Sequence, residues 1–159
     1  DGIIDHKYVF TNMGYNLKPM DLQGAIGLVQ LEKFNEIDTK RKASKARIES
    51  IITKYVDGIR GVSMLDKADT CWFGTPFICD NKLIKGKLIK FLEDNKIQTR
   101  NYFAGNILMH PAYKHLDDMS KYPNANKVLD KVFFLGAAPH YDEVIFDFVE
   151  ETFKDKWVN

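Results

Sequence analysis

The chain has 159 residues, 45% of them hydrophobic and 28% charged, which fits one folded core and excludes a disordered, collagenous or membrane-spanning polypeptide. Lys and Arg total 23 against 22 Asp and Glu, a formal charge of +1, so no global field draws the protein to nucleic acid or to an anionic membrane. Any anion site must be local. The start, Asp1-Gly2-Ile3-Ile4-Asp5, lacks an initiator Met, a basic n-region and an apolar h-region, and reads as a piece of something longer.

In chain order, residues 1–18 mix Gly, Asn, Asp and aromatic residues without helical period and read as loop or short strand, since Lys18 before Pro19 is pushed toward extended geometry. A helix is expected from Pro19, with Asp21 at the positive end of its dipole. Its middle, Leu22 to Leu31, is apolar nearly all round and contains Gly24 and Gly27, which predicts burial on more than one side with another backbone packed close. The charged run from Asp38 to Arg47 leads into Ile48, Ile51, Ile52, Tyr55, Val56 and Ile59, the spacing of an amphipathic helix that ends at Gly58 and Gly61. Without interleaved aromatics, that basic run is a solvated helix face rather than a nucleic-acid patch. Trp72 to Cys79 reads as strand, Lys85 to Asn95 as helix, Ile97 to Phe103 as strand and Asn106 to Tyr122 as irregular. Asn124 to Lys131 is a short helix, Val132 to Leu135 a buried strand and Asp142 to Trp157 a terminal amphipathic helix. The class is α+β: a small sheet of about three or four strands, mainly antiparallel, covered by helices, with a long lead-in helix.

Few residues suggest chemistry by spacing alone. His6, His110, His115 and His140 have no second ligand at metal spacing, which leaves them surface or capping roles. Cys71 and Cys79 match no zinc motif, are too few for a disulfide scaffold and fit small core positions in a reducing cytoplasm. No nucleophile triad, P-loop or G-x-G-x-x-G occurs. Two segments are more informative. Asn16 and Lys18 stand just ahead of a helix N-terminus, where free N–H groups and the dipole favour a phosphate or carboxylate; the alternative is that Asn16 organises the turn and Lys18 faces solvent. Arg100, the sole Arg after residue 60, leads from a strand into a Gly105-Asn106 turn; its planar fork suits a carboxylate or phosphate, or an internal ion pair.

These segments carry a resemblance. His6-Lys7-Tyr8, then Gly14-Tyr15-Asn16-Leu17-Lys18-Pro19 through Asp21-Leu22-Gln23, Ala25-Ile26-Gly27-Leu28 and Gln30-Leu31-Glu32-Lys33, are similar to the signature after the cofactor-lysine region of the DegT/DnrJ/EryC1/StrS family. These are sugar-nucleotide aminotransferases and dehydratases of pyridoxal-phosphate fold type I. Trp72-Phe73-Gly74 with Pro76, Ile97-Gln98-Thr99-Arg100, and Phe103-Ala104-Gly105-Asn106 followed by Pro111-Ala112-Tyr113 resemble its 3-dehydratase branch, CDP-4-keto-6-deoxyglucose 3-dehydrase above all. Plain aminotransferases of the family usually differ at Phe-Ala-Gly-Asn.

The resemblance spans essentially the whole chain but only the C-terminal portion of such an enzyme. It implies that residues 1–38 are a remnant of the large cofactor-binding domain with the interdomain helix, and that 39–159 form the small C-terminal domain. Pyridoxal 5'-phosphate or pyridoxamine 5'-phosphate is the implied cofactor, with Asn16 reaching the cofactor phosphate of a neighbouring subunit in a homodimer and Lys18 beside it. Arg100 and Asn106 are the implied binders of the nucleotide-sugar substrate, and no catalytic or metal-ligating residue is assigned in this chain. The implied reaction is loss of the C3 hydroxyl from a nucleotide-linked 4-keto-6-deoxyhexose, in deoxysugar biosynthesis of the lipopolysaccharide O-antigen type, with a reductase as a possible partner; the alternatives are a pyridoxal-phosphate-dependent sugar-nucleotide aminotransferase or a noncatalytic module that binds a sugar nucleotide or a protein. Some relatives hold an iron-sulfur cluster on upstream cysteines, which Cys71 and Cys79 do not match.

Overall fold

A computed structural model describes residue 15, residues 17–103 and residues 105–158. Its contacts divide into two compact units, one up to Phe34 and one from Asn35 onward.

In the first unit, α1 (Asp21–Glu32) begins one residue after Met20. The Met20 N–H donates to Gln23 Oε1 at 2.8 Å, while the Gln23 and Gly24 N–H groups donate to the Met20 carbonyl. The expectation of a helix buried on several sides is overturned for this chain, because α1 has no buried residue. Leu22, Ile26, Leu28 and Leu31 are each more than half exposed, and a Cβ on Gly24 or Gly27 would touch nothing. All-round apolarity calls for a cover, and the described residues of its unit supply none.

The second unit sets helices against a four-stranded antiparallel sheet. In order come α2 (Phe34–Tyr55), β1 (Ile59–Gly61), β2 (Gly74–Cys79), α3 (Lys82–Asp94), β3 (Arg100–Asn101), α4 (Pro123–Lys131), β4 (Val132–Gly136) and α5 (Glu143–Lys156). The strand order is β1-β2-β4-β3, so the sheet answers the expectation of a small, mainly antiparallel one. Two details differ. The long helix stops at Tyr55, and Ile59 opens β1, because Gly58 at φ +71° turns the chain back. The strand expected over Ile97 to Phe103 shrinks to Arg100 and Asn101, because Lys96 (φ +65°) and Phe103 (φ +51°) leave extended geometry on either side.

The core lies on one face of the sheet. Ile48, Ile51 and Ile52 of α2, Leu88 and Leu92 of α3 and Phe146, Val149 and Phe153 of α5 pack with Phe77, Phe133 and Leu135. Burial of each such side chain is worth about 1.5–3 kcal/mol, and the positions on α2 and α5 are the three-and-four spacing read from sequence. Asn81 Oδ1 accepts from the Ile84 N–H at 3.0 Å and Asp142 Oδ1 from Ile145 at 3.2 Å, so α3 and α5 begin at side-chain caps. Four of the five cations in the basic stretch of α2 are ion-paired: Lys40 with Glu36, Lys42 with Asp38 and Asp69, Lys45 with Glu49 and Arg47 with Glu150. No helix among the described residues is long and apolar enough to cross a membrane.

Candidate functional site

The chemistry converges at the β3 edge. Thr99, at 6% exposure, is held by α3: its N–H and Oγ1 donate to Glu93 Oε1 at 2.6 and 2.7 Å. Those two donors, with the nearby Arg100 charge in support, hold the Glu93 carboxyl below the usual carboxylate range. With Thr99 fixed, the next residue is aimed. Arg100 Nη1 donates to the Thr99 carbonyl at 3.0 Å, and the Gln98 amide lies where its oxygen, once assigned to the side facing Arg100, accepts from Nη1 at 2.8 Å and Nη2 at 2.7 Å. Among the described residues no carboxylate reaches Arg100 within ion-pair distance. Among the described residues, then, Arg100 makes no internal ion pair of the kind offered as its alternative role.

Arg100 lines a cavity of about 390 Å3 together with Gln98, Phe73, Phe134, Tyr141 and Phe148. Phe73 and Phe134 also wall a second cleft of about 220 Å3, completed by Trp72, Pro76, Tyr102 and Phe103. Phe134 faces Arg100 across the β3–β4 register and is the floor of an aromatic group. The Phe73, Phe103 and Tyr102 rings lie 5.8, 6.0 and 6.1 Å from it. Gly74 is required here, since a Cβ would stand 2.6 Å from the Phe134 ring. Phe103 holds a left-handed backbone at φ +51°, a conformation that costs a non-glycine residue roughly 1–3 kcal/mol and gathers at ligand clamps. Trp72 is tied to α2 by the Lys45 ammonium 4.9 Å over its ring.

The remaining sequence candidates fall elsewhere. Asn106 is 3% exposed; its Nδ2 donates to Asn126 Oδ1 at 2.7 Å and its Oδ1 accepts from the Leu108 N–H at 3.0 Å. It lines a separate cavity with Ile107, Tyr122 and Ala125, so the structure does not bring it into the cavity of Arg100. Lys18 is exposed, and beyond it the Asp21 and Leu22 N–H groups have no acceptor within α1. Asn16 lies outside the described residues. Cys79 is buried, which pushes its thiol up to about 11. Lys85 is 7% exposed, donates Nζ to the Leu129 carbonyl at 2.6 Å and has its pKa lowered by burial. No group of three or more His, Cys, Asp or Glu able to hold a metal ion occurs among the described residues.

Sequence reasoning missed the aromatic group and the Glu93–Thr99 tie. Adjacent Tyr102 and Phe103 ahead of Gly105 were the available signal, a pair of large rings in a turn rather than on a core face.

The profile of the DegT/DnrJ/EryC1/StrS aminotransferase family matches residues 2–153. The chain is 30% identical over 155 residues to the lipopolysaccharide biosynthesis protein RfbH of Salmonella typhimurium, covering 95% of this chain and 36% of the relative. It is 32% identical over 158 residues to the dTDP-4-dehydro-2,6-dideoxy-D-glucose 3-dehydratase of Saccharopolyspora spinosa, covering 93% and 33%. The chain thus spans about a third of the length of these relatives. In three dimensions it is similar to the E. coli GDP-4-keto-6-deoxy-D-mannose-3-dehydratase solved with bound hydrated PLP. There the TM-score is 0.67 at 23% identity, over 92% of this chain and 38% of that one.

Proposed function

This chain belongs to the DegT/DnrJ/EryC1/StrS aminotransferase family, and from that premise we propose that it is the C-terminal part of a pyridoxal- or pyridoxamine-phosphate-dependent deoxysugar enzyme. Its reaction is removal of the C3 hydroxyl of a nucleotide-linked 4-keto-6-deoxyhexose. The observation that carries this reading is Arg100, an oriented guanidinium with no carboxylate partner among the described residues at the mouth of a cavity. That is the chemistry a sugar-linked diphosphate needs. The similarity to nucleotide-sugar 3-dehydratases supports dehydration, and amino transfer, the alternative, is compatible with the similarity to a dTDP-4-amino-4,6-dideoxy-D-glucose transaminase.

The described residues fit the phosphate end of the cofactor. Lys18 offers a cation and the first turn of α1 offers free N–H groups at the positive end of its dipole, with Asn16 beside them in sequence. The buried Lys85 ammonium is committed to the Leu129 carbonyl and is not offered to the aldehyde end. When bound, the cofactor supplies the electron sink for loss of the hydroxyl; the group that moves the proton belongs to the part of the enzyme outside this chain. Asn106 shapes the loop that follows Arg100 by capping the 3-10 turn at Ile107. A cytoplasmic homodimer, with Asn16 and Lys18 serving the neighbouring subunit and a reductase as redox partner, completes the reading.

The test is product analysis with the full-length protein that carries this chain, supplied with pyridoxamine phosphate and CDP-, dTDP- or GDP-linked 4-keto-6-deoxyhexose. Mass spectrometry and NMR should show one of these losing water at C3. An amine installed at C4 with the C3 hydroxyl retained would overturn the dehydratase reading.

A further inference from the structure

We infer that the aromatic cleft walled by Phe73, Tyr102, Phe103 and Phe134 is the nucleobase subsite of the substrate, with Arg100 as the neighbouring diphosphate anchor. The inference rests on the nucleotide-sugar reading above and adds where the base is held and by which side chains.

Three observations converge on it. The first is size: at about 220 Å3 the cleft is smaller than the roughly 300–1,000 Å3 pockets that enclose whole drug-sized ligands, so it admits one planar ring system rather than an entire nucleotide sugar. The second is chemistry. Phe73 and Phe103 remain 66% and 71% exposed, whereas Phe134 beneath them is nearly buried. Open ring faces around a fixed floor are what a base stacks on, because every base has a π-face and stacking is tolerant of sequence. The floor cannot swing aside freely, since the space where Gly74 lacks a side chain is filled by the Phe134 ring.

The third observation is placement. The cleft and the Arg100 cavity share two walls, Phe73 and Phe134, and Arg100 stands opposite Phe134 in the β3–β4 register. A nucleoside diphosphate has the same layout, a flat base with stackable faces joined through a short sugar to an anionic diphosphate. The left-handed backbone of Phe103 places a costly ring at the cleft rather than in the core, as expected where the strain serves a ligand.

Binding to the full-length protein tests this by calorimetry with CDP, dTDP, UDP, GDP and pyrophosphate. Phe103→Asn removes the ring with a residue that tolerates positive φ, and Tyr102→Ala is an independent second variant. Each should weaken the best-bound nucleoside diphosphate about tenfold, the size of one lost base–aromatic stack, and leave pyrophosphate unchanged. Phe103→Tyr should retain wild-type affinity, and Arg100→Gln should weaken both ligand types. Unchanged nucleoside diphosphate affinity in both ring variants would overturn the subsite while leaving the nucleotide-sugar reading intact. So would a shift in oligomeric mass with nucleotide affinity preserved, which would assign the rings to a protein contact. A wild-type protein that binds no nucleoside diphosphate more tightly than pyrophosphate would overturn the subsite and the nucleotide-sugar reading together.

Discussion

Phe133 and Phe134 are neighbours on β4, and their rings serve different purposes. Phe133 has no accessible surface and stacks on Phe77 at 5.6 Å beneath the helices. Phe134 turns to the other side of the strand and meets Phe73, Tyr102 and Phe103, residues of loops and of a two-residue strand's end. The period-2 alternation of a strand sends one ring to each face; what differs is the cover. Three helices with apolar side chains at helical spacing close the first face and make it the seat of stability. Among the described residues, Phe73, Tyr102 and Phe103 from loop segments meet Phe134 on the second face and leave rings open, and it is this face that we propose for recognition.

The sharpest way to break this division is to truncate one ring on each face. Phe133→Ala should cost about 3–5 kcal/mol in denaturant unfolding, the range for a fully buried Phe. Phe103→Ala should stay within about 0.5 kcal/mol, because its ring is mostly in water; similar losses from both would erase the distinction. Gly74→Ala comes next, at about 1–3 kcal/mol for overpacking, since the new Cβ would lie 2.6 Å from the Phe134 ring and 2.7 Å from the Leu135 carbonyl. A neutral result would show that the cleft floor yields. On the core side of the same strand, Thr75 buries a hydroxyl with no hydrogen-bond partner among the described residues. Thr75→Val should therefore be neutral or stabilising by up to about 1 kcal/mol, and a clear loss would reveal a partner for Oγ1.

The helix-covered face was largely legible in the sequence, and the open face was not. Ile48, Ile51 and Ile52, or Phe146, Val149 and Phe153, announce themselves because helix spacing alone puts them on one side. The open face assembles rings from residues 73, 102–103 and 134, three segments that only the pairing of β2, β4 and β3 brings together. The strand of β1 escaped notice because three residues, Ile59-Arg60-Gly61, are too few to show a period. Arg100 stood out by its rarity late in the chain, but the Thr99 and Gln98 contacts that aim it depend on folded geometry. Asn106 was legible as a turn residue; that Asn126 and the Leu108 N–H occupy its amide group could be seen only in the structure. For α1 the pattern said that a cover is needed and was silent on where that cover lies.

Glu93 joins the two sides, since it sits on helix α3 and accepts both donors of Thr99, the residue before Arg100. Its pKa is held below 4.5, first by the Thr99 hydroxyl and then by the Thr99 N–H. A carboxylate depressed in the folded state stabilises the fold fully above its unfolded pKa, and the benefit is lost as pH falls through the folded value. Wild-type stability should therefore fall, as acidification passes below the ordinary glutamate range, by more than that of Glu93→Gln, which has no proton to take up there. At neutral pH Glu93→Ala, which removes the acceptor of both Thr99 donors, should weaken pyrophosphate binding in the full-length protein, because Thr99 is released and Arg100 loses its aim. Parallel pH curves for wild type and Glu93→Gln would show that the tie contributes nothing to the fold. Unchanged pyrophosphate affinity would show that Arg100 is positioned by Gln98 and the Thr99 carbonyl without help from the helix layer.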